Sequence, residues 1–224
     1  DYTLQVSQMR AVESADAVIL NGGGLEDFLG DVLASADSVI DTSKDMELSC
    51  GHQHEGHDHE HDPHFWLSPE KAKQMSQNIY TELCELYPNY QGEFTVNFAE
   101  LLAKLNALQA YGEEELSNLK NRHLITFHDG FSYFAESFDL HILKAVEEES
   151  GSEASAKELI EIIDLVNEHS LPAIFTECNG STAAATVISA ETGAKVYALD
   201  MAMGGSSYFD AMYHNIRTVK EALG

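Results

Sequence analysis

Six of the chain's 11 histidines lie between His52 and His64, inside the run GHQHEGHDHEHDPHFWLSP that spans Gly51–Pro69. Neutral imidazole is the commonest protein ligand for transition metals, and zinc accepts it well. The interleaved Asp58, Glu60 and Asp62 lower the local potential and draw cations in. His52, His54, His57, His59 and His61 alternate with acids and glycine and have no apolar anchor, so they read as a mobile, metal-collecting loop. The bland alternative, a purification tag, does not suit an internal run of mixed composition. From Asp62 to Pro69 the character changes. Phe65, Trp66 and Leu67 supply anchors, and Ser68-Pro69 is a helix start with Ser as N-cap and Pro at the first helical position. His64 therefore reads as a fixed ligand, against the alternative of a packing residue at the helix entry.

Three more residues draw attention by where they fall. His128 follows the strand ending in Phe127, Glu177 the strand ending in Thr176, and Asp200 the strand ending in Leu199. Open parallel sheets bind ligands beyond the carboxyl ends of their strands. Imidazole and carboxylates would then leave one sheet edge and meet His64, coming from another lobe, in a cleft. Each also has an ordinary reading. His128-Asp129-Gly130 suits a helix-entry turn, Glu177 a cation pair or helix cap, and Asp200 a turn before Gly204-Gly205. His123, His141, His169 and His214 sit on elements without convergent partners and read as structural or surface residues.

The elements that must position these groups alternate. The pattern predicts a short helix Gln8–Ser14 capped by Ser7, and a buried strand Ala17–Leu20 ending in Asn21-Gly22-Gly23-Gly24. A helix Leu25–Ala34 and a strand Ser38–Asp41 follow. The loop Lys44–Pro63 comes next, then a helix Pro69–Leu86 stopped by Pro88. Phe94, Phe98, Leu101, Leu102, Leu105, Leu108 and Leu116 keep helical phase from about Gln91 to Asn118. That helix would be roughly 40 Å long, a spine between lobes. Strands Leu124–Phe127, Leu140–Ala145, Ala173–Thr176 and Lys195–Leu199 then alternate with helices Phe131–Phe138, Ala156–His169, Ser181–Thr192 and Ser206–Leu223. An acidic loop, Glu147–Ser155, interrupts them. The fold class is α/β: two lobes, each a parallel sheet flanked by helices, joined by one long linking helix. Residues 1–90 form the first lobe with the histidine-rich loop at 44–63, residues 91–120 the linker, and residues 121–224 the second lobe.

Composition closes off other classes. Twelve Lys and Arg against 38 Asp and Glu give a formal charge of −26, which repels nucleic acid and favours cations. No run of 18 apolar residues exists to span a membrane. Cys50, Cys84 and Cys178 are too few and too scattered for a disulfide framework, although Cys50 borders the histidine loop. A zinc hydrolase would need a placed general base. Residues 59–64, His-Glu-His-Asp-Pro-His, exchange the acid and spacer of the metallo-β-lactamase pattern, and no His-Glu-x-x-His occurs. A non-enzyme is expected.

Asp62-Pro63-His64-Phe65-Trp66-Leu67-Ser68-Pro69, with Phe127-His128-Asp129 and Asp200, resembles the zinc- and manganese-binding substrate-binding proteins of ABC transporters. That family includes high-affinity zinc uptake proteins and streptococcal adhesin lipoproteins. Asn21-Gly22-Gly23-Gly24-Leu25-Glu26 is similar to its Asn-Gly-x-Gly-Leu-Glu segment. The resemblance implies metal held between two lobes by His64, His128 and Asp200, with Glu177 near the site and touching a ligand rather than the metal. Manganese members place glutamate where His128 stands, so it implies Zn²⁺ ahead of Mn²⁺, in keeping with imidazole chemistry. It also implies an extracytoplasmic monomer, periplasmic or anchored at the cell surface as a lipoprotein through residues before Asp1, that serves a membrane permease. An adhesin role is the alternative. One departure stands out. The family carries a histidine ligand just before an Asp-Tyr or Asp-Phe pair, whereas this chain opens on Asp1-Tyr2. An N-terminally trimmed chain is the expectation, lacking that ligand and on the order of 40 preceding residues, enough for two βα units.

Overall fold

A computed structural model describes residues 4–49, 61–146, 155–205 and 207–224. The expectations that fall on Asp1-Tyr2, on Cys50, His52, His54, His57 and His59, and on most of the acidic loop at 147–155 lie outside the described residues. The chain divides into two compact units, Asp1–Trp66 with Glu70–Leu105, and Leu67–Pro69 with Asn106–Gly224.

In the first unit α1 (Val6–Glu13) leads into β1 (Val18–Leu20). The helix starts earlier than its expected Ser7 cap. The Gln5 backbone N–H donates to the Gln8 carboxamide at 2.8 Å, so Gln5 is the N-cap. β1 pairs in parallel with β2 (Val39–Asp41), Val18 opposite Val39 and Leu20 opposite Asp41. The expected burial of β1 is only partial: Ile40 is buried while Ile19 is 50 % exposed. The segment between the strands is a 3₁₀ stretch, Asp27–Ser35, rather than an α-helix. Apolar spacing cannot tell the two apart over so short a run, and Gly30, at φ 46° and ψ −127°, kinks it. After a short 3₁₀ turn at Phe65–Leu67, α2 (Pro69–Leu86) begins at the proline, as its Ser-Pro start requires. Tyr80 of α2 stacks on Phe98 with ring centroids 4.6 Å apart.

Phe98 belongs to α3 (Gln91–Glu115), which follows a 3₁₀ turn at Pro88–Tyr90. Its 25 residues give a length of about 37 Å. It begins in the first unit and ends in the second. The helical phase tolerates Gly112 for a packing reason. A Cβ there would overlap the Phe138 ring, whose Cζ lies 2.6 Å from that position. The Arg122 guanidinium donates to the Leu116 and Phe138 carbonyls at 2.9 and 3.1 Å, and so fastens the helix end to a loop beyond it.

The second unit runs β3 (His123–Thr126), α4 (Ser132–Ser137), β4 (His141–Ala145), α5 (Ala156–Glu168), β5 (Ala173–Glu177), α6 (Ala183–Thr192), β6 (Lys195–Leu199) and α7 (Tyr208–Leu223). Its four strands pair in parallel in the order β4-β3-β5-β6. Helix starts follow cap chemistry. The Ser155 hydroxyl accepts from the Glu158 N–H while the Glu158 carboxylate takes the Ser155 N–H, and Ser207 caps α7. Ile162 and Val166 of α5 and Ile188 of α6 pack with Ile125 and Ile174 of the central strands, and all five are buried. Burying these side chains supplies most of the driving force for this layer. The chain steps outward from β3 to β4, returns to β5, then steps outward to β6. Strand direction therefore leaves a switch point between β3 and β5, the place where open α/β sheets take ligands.

Candidate metal centre

His64 is held from within its own segment. The Asp62 carboxylate accepts from the His64 backbone N–H at 2.9 Å and lies 2.8 Å from Nδ1 of the same residue. An aspartate that captures the N–H two residues on is an Asx turn, a conformation its short acceptor favours. Nδ1–H donated to a carboxylate leaves the ring's lone pair on Nε2, which is how metal-ligating histidines are oriented. The Asp62–His64 turn is anchored in turn. The Asn21 carboxamide donates to the Pro63 carbonyl at 3.0 Å, and the Glu26 carboxylate accepts from the Asn21 and Gly22 N–H groups at 2.8 and 3.0 Å. Gly22, at φ +85°, passes so close to Asp41 and Ser43 that no side chain fits. The glycine-rich segment after β1 thus acts as a cradle for the histidine turn.

In the second unit His128 lies just past β3, and Glu177 is the last residue of β5, across the switch point. The expected strand end moves by one residue: Glu177 pairs with Leu199 inside the sheet. Its carboxylate sits 2.9 Å from His128 Nδ1. The same tautomer argument sets the His128 lone pair on Nε2. Gly130 leaves room for that ring. A Cβ at this position would stand 2.6 Å from His128 Cδ2 and 2.6 Å from Met201 Cε. Asp200 follows β6 directly. The buried Asn215 side chain grips its peptide from both sides, accepting from Asp200 N–H and donating to its carbonyl, each at 2.8 Å. The Asp200 carboxylate accepts from the Ala202 N–H at 2.8 Å, a turn closed by Ala202 at φ 57°.

The second unit thus brings His128 and Glu177 into contact and fixes Asp200 at the same strand edge, while the first unit presents His64. Among the described residues no group of three or more His, Cys, Asp or Glu side chains is placed to hold a metal ion. Of the loop histidines, His61 is described; its Nδ1 is buried and has no hydrogen-bond partner among the described residues.

A profile of the family described as "Zinc-uptake complex component A periplasmic" matches residues 1–222. The chain belongs to this family. Its members are uptake components, not enzymes. A similar solved structure is that of ZnuA, 30 % identical, covering 100 % of this chain and 86 % of that one at a TM-score of 0.85. The laminin-binding protein Lbp of Streptococcus pyogenes is 25 % identical over 100 % of this chain and 87 % of that one, with a TM-score of 0.84. Zinc-binding lipoprotein AdcA of Streptococcus pneumoniae is 28 % identical over 99 % of this chain, which spans 48 % of that protein's length. A Treponema pallidum protein named for metal binding is 28 % identical over 99 % of this chain and 76 % of its own length.

Within this family frame the sequence left three things unread. Asp62 entered as a contributor to local potential, yet it is the group that orients His64; the two-residue Asx spacing was the available signal. Nothing local ties Glu177 to His128, because their meeting depends on strand order. The third is the meeting of His123 with His141 and with His169, ring to ring, on elements that show no convergent partner in sequence. His214 stands as a structural residue, with Nε2 on the Ala198 carbonyl at 3.0 Å.

Proposed function

We propose that this chain captures Zn²⁺ as cargo, in a cleft between its two lobes, and delivers it to the membrane permease of an ABC transporter. His64 and His128 supply imidazole and Asp200 a carboxylate. One observation carries the reading. Two histidines from different units share one unusual preparation, Nδ1 set against a carboxylate, which readies Nε2 for a metal. A ligand set rich in imidazole favours Zn²⁺ over Mn²⁺. Family membership and a related ZnuA solved with zinc bound support the same choice. His52, His54, His57, His59 and His61 form an auxiliary collecting loop that raises the local concentration of metal.

The family description, periplasmic, and relatives named as lipoproteins support an extracytoplasmic location, free in the periplasm or tethered at the cell surface. Among the described residues no helix is long and apolar enough to cross a membrane. The division into residues 1–90, 91–120 and 121–224 is part of the same proposal, with the linker as the element that joins the lobes. A second reading, adhesion to host matrix, follows from similarity to laminin-binding proteins of known structure, and it uses the same fold.

Calorimetric titration with Zn²⁺ and with Mn²⁺ tests the proposal. The expected result is a tight Zn²⁺ site, weaker Mn²⁺ binding, and loss of the tight site in His128→Ala. Deletion of residues 44–62 should lower stoichiometry and keep the tight site. Disappearance of the tight site with the loop, or its survival in His128→Ala, overturns the assignment.

A further inference from the structure

The edge of the second sheet opposite His128, Glu177 and Asp200 carries its own set of imidazoles. His123 opens β3 and His141 opens β4, and the two are partners across the parallel pair. Strand neighbours in register put their side chains on one face. Their ring centroids are 5.8 Å apart. His169, the C-cap of α5, brings a third ring to 5.2 Å from His123. Two imidazoles on one tetrahedral ion, with metal–nitrogen bonds near 2.0–2.1 Å, have centroids roughly 5 Å apart. His123 is therefore the common member of two pairs, each close to bridging distance.

The arrangement is fixed rather than incidental. Asn121 sits between the histidines. Its Oδ1 accepts from the His123 backbone N–H at 2.9 Å and lies 3.2 Å from His123 Nδ1, and its Nδ2 donates to the His169 carbonyl at 3.4 Å. That contact again assigns the His123 lone pair to Nε2. The His169 backbone is held in turn, its N–H on the Leu165 carbonyl at 3.0 Å. His141 is exposed, while His123 and His169 are half-buried, so solvent reaches the group and water can complete a coordination shell. The chain's charge of −26 favours a cation at any such point on its surface.

We propose that His123, with His169 or His141, forms a second, weaker site for a divalent transition-metal ion at the amino-terminal edge of this sheet. Asn121 is the positioning residue that presents His123. The ligand class follows from the donors: two imidazoles and water suit Zn²⁺, Ni²⁺ or Cu²⁺, and not Mg²⁺ or Ca²⁺. This site shares no residue with the proposed cargo site, so each can fail without the other.

The test is a Zn²⁺ titration of the full chain followed by the imidazole proton resonances. The expected result is that signals of His123, His141 and His169 shift together after the tighter sites fill. His123→Gln should then bind one equivalent less Zn²⁺ by calorimetry, while His214→Gln binds the full number. Added Mg²⁺ should move none of the three. If His123→Gln lowers the melting temperature, the double variant His141→Gln/His169→Gln is read instead, and one equivalent less Zn²⁺ is expected to bind. Unmoved ring signals after several equivalents of Zn²⁺ overturn the proposal. So does unchanged stoichiometry in a stably folded His123→Gln chain.

Discussion

His64 and His128 receive the same preparation by two different constructions. In the first unit the carboxylate is Asp62, two residues away, and one Asx turn fixes both the backbone N–H and the ring. In the second it is Glu177, brought from another strand by the pairing of β3 with β5 and β5 with β6. The local pair is also the better shielded, with side chains 19 % and 10 % exposed against 39 % and 26 % for the distant pair. A hydrogen bond to a charged group gains strength as water is excluded. The short-range device should therefore orient its histidine more firmly than the long-range one.

The largest effects should come from the imidazoles themselves. His64→Ala and His128→Ala should each lower Zn²⁺ affinity by more than the ~100-fold upper end seen for loss of an orienting partner. Competition against a chelator of known affinity measures this. Near-equal losses fit two ligands of one ion, and a negligible loss at either position breaks the comparison at its root.

The orienting carboxylates come next. Asp62→Ala should cost close to ~100-fold and Glu177→Ala close to ~10-fold, within the range for such partners. The same chelator competition ranks them, and the reverse order would mean that shielding does not decide how well the ring is held. Gly130→Ala should fall near the smaller figure, about 10-fold, because a methyl group there displaces the His128 ring and Met201. Its melting temperature should change little, which separates a displaced ligand from a lost fold.

The smallest effect concerns Cys178, next to Glu177 on the exposed side of the sheet edge. Desolvation of its sulfur first, and then the negative charges of Asp200 and Glu177, hold this thiol above its ordinary value. Only the thiolate reacts with alkylating reagents. Iodoacetamide labelling near pH 8, read peptide by peptide in a mass spectrometer, should be slow at Cys178. Glu177→Gln removes one of the two charges and should raise the rate, whereas Asp62→Asn should leave it unchanged. An equal response to both variants would erase the distinction between the two constructions.

Much of this was legible from residues alone, for physical reasons that differ by element. The helix start at Ser68-Pro69 is local chemistry, complete within two residues. Lys195–Leu199 read as a strand from its place in the strand–helix alternation, directly after the helix that Gly193 ends. The 3₁₀ stretch Asp27–Ser35 did not read, because α and 3₁₀ spacing coincide over so few turns and the kink belongs to Gly30. The Gln5 cap was missed in favour of Ser7, since glutamine is an uncommon capping residue. The histidine row was missed because His123, His141 and His169 are far apart in sequence and adjacent only across β3, β4 and the end of α5.

What the chain's own order of residues determined is every arrangement that closes over a short span. The Asp62–His64 turn, the helix caps, the alternation of strand and helix, and the donor types available to a metal all belong there. What only tertiary structure decided is which distant groups touch: Glu177 with His128, Asn21 with the Pro63 carbonyl, Asn215 around the Asp200 peptide, and three imidazoles at the far edge of one sheet. Each of those contacts depends on strand order and crossover path. These are chosen by burial of the whole sheet's apolar faces, and no short window of sequence contains that sum.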